Sequence, residues 1–213
     1  MVDLHMHSLY SDGTFSVTEL VKRSGEKGIK ILSLTDHDTV EGLAEAAKEC
    51  IENNMKFING IEISTEYKGK EVHILGYFID EKDKSLIDFS NEMKQARINR
   101  NEKAIKILNN HGIEITKEDT FREAEGVIIS RTHLARALIA KGYVKDVKEA
   151  FSKYLGSNGL AYVPKSNLNP FDGIEIIKKS GGLAFLAHPK LIGLEEEDFV
   201  RLVKDMKDHG LDG

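Results

Sequence analysis

Met1-Val-Asp-Leu-His5-Met-His7-Ser-Leu-Tyr-Ser-Asp12-Gly13 opens the chain, and its alternation decides how the remainder is read. In an extended strand, side chains at i and i+2 share a face, so His5 and His7 point together while Val2, Leu4 and Met6 point the other way. Two imidazoles thus converge at a strand end. Asp12, just ahead of the turn residue Gly13, brings a carboxylate to the same edge, which is the start of a metal site. Alone, the pair is ambiguous, because an exposed alternating strand can carry two histidines to no purpose.

Working outward, Ser16-Val-Thr-Glu19 is a capping-box signal for a helix that ends near Gly28. Ile29 to Thr35 is a short apolar run, a second buried strand that ends in Thr35-Asp36-His37-Asp38. Strand, helix and strand at this spacing make a βα unit, which places His37 at the same edge as His5 and His7. Thr39 to Asn53 has helical periodicity. Phe57 to Thr65 predicts a third strand with Glu62 on a face where a parallel strand would usually be apolar, and a buried carboxylate needs a partner. Lys68-Gly69-Lys70 turns the chain into a fourth strand, Glu71 to Ile79, which carries His73.

Beyond Asp80 the pattern becomes helical: 85 to 111, then shorter segments at 116 to 126, 132 to 142 and 146 to 154. After Pro170 a helix leads through Gly181-Gly182 into Leu183-Ala-Phe-Leu-Ala-His188-Pro189, a strand closed by proline, and Glu195 to His209 forms a last helix. The expected organisation is an α/β core of residues 1–81 and 169–213 with a helical insertion at 82–168.

The bulk properties narrow the function. The 213 residues are 40% hydrophobic and 31% charged, with no apolar run long enough for a membrane span and no signal-peptide pattern, so a cytoplasmic protein without a membrane partner is expected. A net charge of −5 argues against nucleic-acid binding driven by counterion release alone. The single cysteine, Cys50, excludes an internal disulfide and a cysteine metal cage. Oligomeric state is not legible.

The eight histidines do not carry equal weight. His111 and His209 each precede a glycine at a helix carboxyl end, where the macrodipole and a left-handed cap explain them. His5, His7, His37 and His188 fall at predicted strand ends and His73 lies on a strand. With Asp12 and Glu62 added, these are seven candidate ligands of a metal centre. Seven exceed the needs of one tetrahedral ion, so two or three divalent ions are implied, with Glu62 the natural bridging carboxylate. A first shell of His, Asp and Glu suits zinc, manganese or iron, and the imidazoles disfavour calcium.

With these residues assembled, the sequence resembles the PHP (polymerase and histidinol phosphatase) family. The matching pieces are His5-Met-His7, Asp12-Gly13, Thr35-Asp36-His37-Asp38, Gly60-Ile-Glu62, His73-Ile-Leu-Gly-Tyr77 and Ala187-His188-Pro189. The fourth-strand segment, followed by a helical insertion containing Ser130-Arg131-Thr132-His133, resembles a stand-alone bacterial subgroup that acts on nucleoside 3′,5′-bisphosphates and on the 5′ ends of short RNA. The resemblance implies a distorted (β/α)₇ barrel, a trinuclear centre and phosphoester hydrolysis, with His5, His7, Asp12, His37, Glu62, His73 and His188 as ligands. The family's late Asp-x-His has no counterpart after His188, and the closing helix-to-strand pattern leads to the expectation that the last core strands lie outside these 213 residues.

The implied chemistry is in-line attack on phosphorus by a metal-activated hydroxide, with Glu62 and His37 at the reacting centre. No nucleophilic Ser or Cys motif, Gly-rich phosphate loop or His-Glu-x-x-His helix supports another chemistry. Arg131 and His133 are candidates for gripping phosphate, since a guanidinium can clamp two oxygens; the plainer reading is that His133 caps a helix. Arg97, Arg100 and Lys165 are candidate nucleotide contacts, although basic residues every third position drift around a helix and suit a solvated surface. The expected partner is a phosphorylated small molecule or nucleotide, or a short single-stranded RNA end. The alternatives are a sugar-phosphate or histidinol-phosphate-type phosphatase, an amidohydrolase-like enzyme on the same metals, or a non-catalytic metal-binding domain.

Overall fold

A computed structural model describes residues 1–123, 131–164 and 168–213. The chain divides into two units, Met1–Asn91 with Asn167–Gly213, and Glu92–Ser166. In the first, a five-stranded sheet runs in the order β1 (Val2–Met6), β2 (Ile31–Leu34), β3 (Lys56–Tyr67), β4 (Lys70–Tyr77), β5 (Leu183–Leu186). The β1/β2 and β2/β3 pairs are parallel, joined by α1 (Val17–Glu26) and α2 (Leu43–Glu52). β3 and β4 form the expected hairpin, and β4/β5 is also antiparallel. β3 serves both neighbours: Lys56 to Asn59 pair with β2 and Gly60 to Tyr67 with β4.

Local chemistry explains the element ends. Ser16 Oγ accepts the Glu19 N–H at 3.3 Å and starts α1, but the capping box is only half formed: the Glu19 carboxylate accepts from Arg23 one turn on. α2 starts at Leu43 rather than Thr39, because the Thr39 hydroxyl accepts the Glu41 N–H at 3.2 Å and holds those residues in a turn. α1 buries Val17, Leu20 and Val21, and α2 buries Leu43, Ala46 and Cys50. Burial pushes the Cys50 thiol up to about 11, so it is an inert core group at neutral pH. α7 (Pro170–Lys179), capped by Asn169, contributes the buried Ile174 and Ile177, and α8 (Glu196–Asp208) contributes Leu202 and Met206.

The second unit is helical, with α4 (Lys117–Glu123), α5 (Arg131–Ala140), α6 (Val147–Ala150) and a π turn at Phe151–Leu155. α3 (Lys84–Asn110) supplies its Ala104, Ile105 and Leu108, which share a core with Leu134, Leu138 and Leu155. No helix among the described residues is long and apolar enough to cross a membrane.

Gly60 marks where β3 changes partner. A Cβ there would lie 2.4 Å from Ser33 Oγ and 2.9 Å from the Leu34 carbonyl oxygen, so no side chain fits. Gly60→Ala should therefore destabilise the protein by about 1–3 kcal/mol through overpacking. Urea unfolding measures this; a midpoint equal to wild type would show that the strand crossing has slack.

Candidate metal centre

Strand direction gathers the side chains. Because β1, β2 and β3 are parallel, His5 and His7, His37 and Glu62 all arrive at one end of the sheet. β4 runs back from that end, so His73, opposite Ser64, stands beside them; β5 returns in the direction of β3 and delivers His188. An isolated bridge between His37 and Glu62 extends the β2/β3 pairing past Leu34.

Glu62 is fully buried, and both of its oxygens are occupied. Oε1 lies 2.8 Å from His188 Nε2 and 3.1 Å from His73 Nδ1. Oε2 lies 3.0 Å from His5 Nε2, 3.1 Å from His7 Nε2 and 3.5 Å from His37 Nε2. Asp12 sits at the outer margin, its side chain 51% exposed, with its oxygens 3.6 Å from His7 Nδ1 and 3.7 Å from His37 Nε2. All seven residues singled out from the sequence are therefore neighbours.

The electrostatics follow from burial and crowding. Burial alone would raise the Glu62 carboxyl pKa, but hydrogen bonds from His5, His7 and His73 and the charge of His37 outweigh it and hold the group far below the usual carboxylate range. Burial pushes His37 down to about 4 against the pull of Glu62 and Asp12, so its imidazole is neutral at neutral pH. His7 moves the other way: burial lowers it, but Glu62, Asp12 and Asp36 together carry it above the ordinary value.

The donor set fits divalent ions. His5, Glu62 and His188 form one group whose ligand atoms lie within 4.8 Å of one another, and His7, His37 and Glu62 form a second that shares the same carboxylate. Separations near 3–3.5 Å are those left between ligands by metal bonds of about 2.0–2.2 Å. His7 Nδ1, His73 Nε2 and His188 Nδ1 are buried without a hydrogen-bond partner, the condition of a cluster short of cationic partners. His188 also holds φ at +27° ahead of Pro189, and Asp38 holds φ at +58°. Such backbone costs about 1–3 kcal/mol per residue and gathers at functional sites.

The remaining candidates belong to the helical unit. Arg131 donates to the Leu155 carbonyl at 3.4 Å and its guanidinium lies 5.6 Å from the Phe151 ring centroid. His133 is buried in the third position of α5. Arg97 and Arg100 line a cleft of about 320 Å³ with Lys103, Val163 and Pro164. Lys165 lies outside the described residues. His111 and His209 each place Nδ1 against the carbonyl four residues back, at 2.8 and 2.7 Å, as their helix-end positions predict.

Sequence reasoning passed over the acidic residues flanking His37. Asp36 accepts three hydrogen bonds from Ser8 and Ser11, and Asp38 accepts the Ser64 N–H at 2.7 Å while its own N–H donates to the Glu62 carbonyl. Their signal was present in Asp36-His37-Asp38, two acids directly after a strand expected to be buried.

Residues 3–163 match the model of the PHP domain. The chain is 35% identical to a 5′-3′ exoribonuclease from Haemophilus influenzae over 99% of its own length and 77% of the relative's. It is 34% identical to a 3′,5′-nucleoside bisphosphate phosphatase from Chromobacterium violaceum over 100% and 75%. A solved structure described as an amidohydrolase from C. violaceum, with bound sulfate and no metal, superposes with a TM-score of 0.90 at 34% identity, covering all of this chain and 75% of that one.

The opposed shifts of His37 and His7 make separate demands on pH. Since His37 titrates at about 4 when folded and at 6.5 when unfolded, its contribution to stability is complete above pH 6.5 and is lost as pH falls towards 4. His7, raised, acts only above 6.5. In metal-stripped protein, His37→Asn should flatten the rise of stability between pH 4 and 6.5, removing a slope of up to about 1.4 kcal/mol per pH unit. Urea unfolding across that range measures it, and an unaltered slope would exclude His37 as the titrating group.

Proposed function

Because this chain belongs to the PHP domain family, we propose that it hydrolyses phosphate esters of nucleotides at a centre of two or three divalent ions held by His5, His7, Asp12, His37, Glu62, His73 and His188. One observation carries this function: a single buried carboxylate with imidazoles on both oxygens, which is the arrangement of a bridging ligand. Nitrogen and oxygen donors without sulfur suit manganese, zinc or iron. Bound ions of this kind acidify water and neutralise phosphoryl oxygens.

The chain's own groups then have distinct tasks. Glu62 divides the cluster, with His73 and His188 on one oxygen and His5, His7 and His37 on the other. His37, neutral at working pH, offers a lone pair rather than a competing charge. Asp12 is the most exposed member and marks the side from which substrate approaches. We keep Arg131 and His133 as proposed phosphate contacts, and Arg97, Arg100 and Lys165 as proposed nucleotide contacts, on the chemistry of their side chains alone: cationic groups pair with phosphoryl oxygens. The distorted (β/α)₇ barrel of the family is the frame we propose, with β1 to β5 supplying the strands that carry the donors.

The names of the two relatives favour nucleotide substrates, and the structure described as an amidohydrolase is the reason to test amides too. Metal-replete protein should release phosphate from a nucleoside 3′,5′-bisphosphate and shorten a 5′-phosphorylated oligoribonucleotide, with chelator abolishing both. Phosphorylated amino alcohols, sugar phosphates and amides should be poorer substrates. Glu62→Gln should reduce turnover by more than the roughly 10–100-fold that loss of an outer-shell partner costs. Bound metal without turnover on any phosphate ester would sink the catalytic reading. Phosphate release from the bisphosphate that survives Arg131→Ala unchanged would remove Arg131 alone.

A further inference from the structure

Asp36 is absent from the ring of side chains around Glu62, yet it holds the backbone of its neighbours. It is 2% exposed. Its Oδ1 accepts the Ser8 N–H at 2.7 Å and the Ser11 hydroxyl at 2.6 Å, and its Oδ2 accepts the Ser8 hydroxyl at 2.6 Å. Its main-chain carbonyl accepts the Glu62 N–H at 3.2 Å. One residue therefore joins the chain after β1, the chain after β2 and the middle of β3.

The segment it grips is the one that carries Asp12. The Ser8 carbonyl accepts the N–H groups of both Ser11 and Gly13 at 3.0 Å, folding Ser8 to Gly13 into a closed turn. Gly13 lies so tightly on the His7–Ser8 peptide that a Cβ would meet the His7 carbonyl oxygen at 2.3 Å. Asp12 is thereby held from both sides, by Ser11 and by Gly13. The Ser11 hydroxyl has one proton to give and stands 2.6 Å from Asp36 against 3.4 Å from Asp12, so the clamp leaves the Asp12 carboxylate to face His7 and His37.

We propose that Asp36 is a positioning residue of the divalent-ion centre: through Ser8 and Ser11 it fixes the turn that presents Asp12 to the ion beside His7 and His37. The inference rests on the metal centre proposed above. It differs from a general stabilising role because it predicts a loss confined to one ion. The group of His5, Glu62 and His188 takes no residue from the clamped turn.

Metal-stripped protein, titrated with zinc against a chromophoric chelator, separates the cases. Asp36→Asn replaces one acceptor oxygen by a donor nitrogen, and Ser11→Ala removes a single hydroxyl with little risk to folding. Both should weaken the same ion that Asp12→Asn weakens, by about 10–100-fold, the usual effect of losing an outer-shell partner. The other ion should keep its affinity, and Ser11→Ala should add nothing in an Asp12→Asn background, since both act on one contact. Wild-type affinity for every ion in folded Asp36→Asn and in Ser11→Ala would overturn the inference while leaving the centre intact. An even loss across all ions, together with a lowered melting temperature, would overturn it in favour of a purely structural role. Wild-type protein that takes up no zinc would remove the centre and this inference together.

Discussion

A carboxylate with no solvent exposure is the constraint the core must satisfy. An isolated ionised carboxyl in the interior is too costly to keep, so Glu62 has to find donors within the protein. It finds them on four other segments: the end of β1, the chain just after β2, the middle of β4 and the chain just after β5. A sheet in which β1 and β2 end beside the middle of β3, and the β3/β4 hairpin then folds back past that point, delivers all of them. The β3/β4 hairpin is thus part of the site's construction: one residue of slip along its register would carry His73 to the opposite face.

Much of this was legible because it is periodic. The i, i+2 spacing of His5 and His7, a glutamate where a buried strand should be apolar, and a histidine immediately before Pro189 are departures from pattern that a sequence shows directly. The strands fall close to where their apolar runs place them. What was not legible depends on side chains choosing between partners. Thr39 could begin a helix or close a turn, and it closes a turn. Glu19 could complete a capping box or pair with Arg23, and it pairs. Asp36 and Asp38 read as polar company for His37, because nothing in a one-dimensional string says that two serines 25 and 28 residues earlier, and a backbone amide 26 residues later, are their partners. Arg97, Arg100, Arg131 and His133 belong to a helical unit with its own core, where basic side chains carry no strand-end signal to mark them.

Crowding decides what the cluster can hold. His7 and His37 stack with ring centroids 4.7 Å apart, and His73 lies 4.9 Å from His37 and 5.0 Å from His188. Two imidazolium charges about 5 Å apart repel by roughly 3 kcal/mol at an effective dielectric near 20. Such repulsion sets the stacked rings of His7 and His37 against one another as sites for a proton. The opposed shifts of His7 and His37 are the partial solution available without metal: a proton is favoured on one ring and disfavoured on its stacked neighbour. The cluster is left rich in nitrogen lone pairs and poor in positive charge. A divalent cation meets both conditions, since it delivers charge to the carboxylate and occupies lone pairs that a proton can fill only at the expense of the adjacent ring. Metal and proton therefore compete for the same atoms.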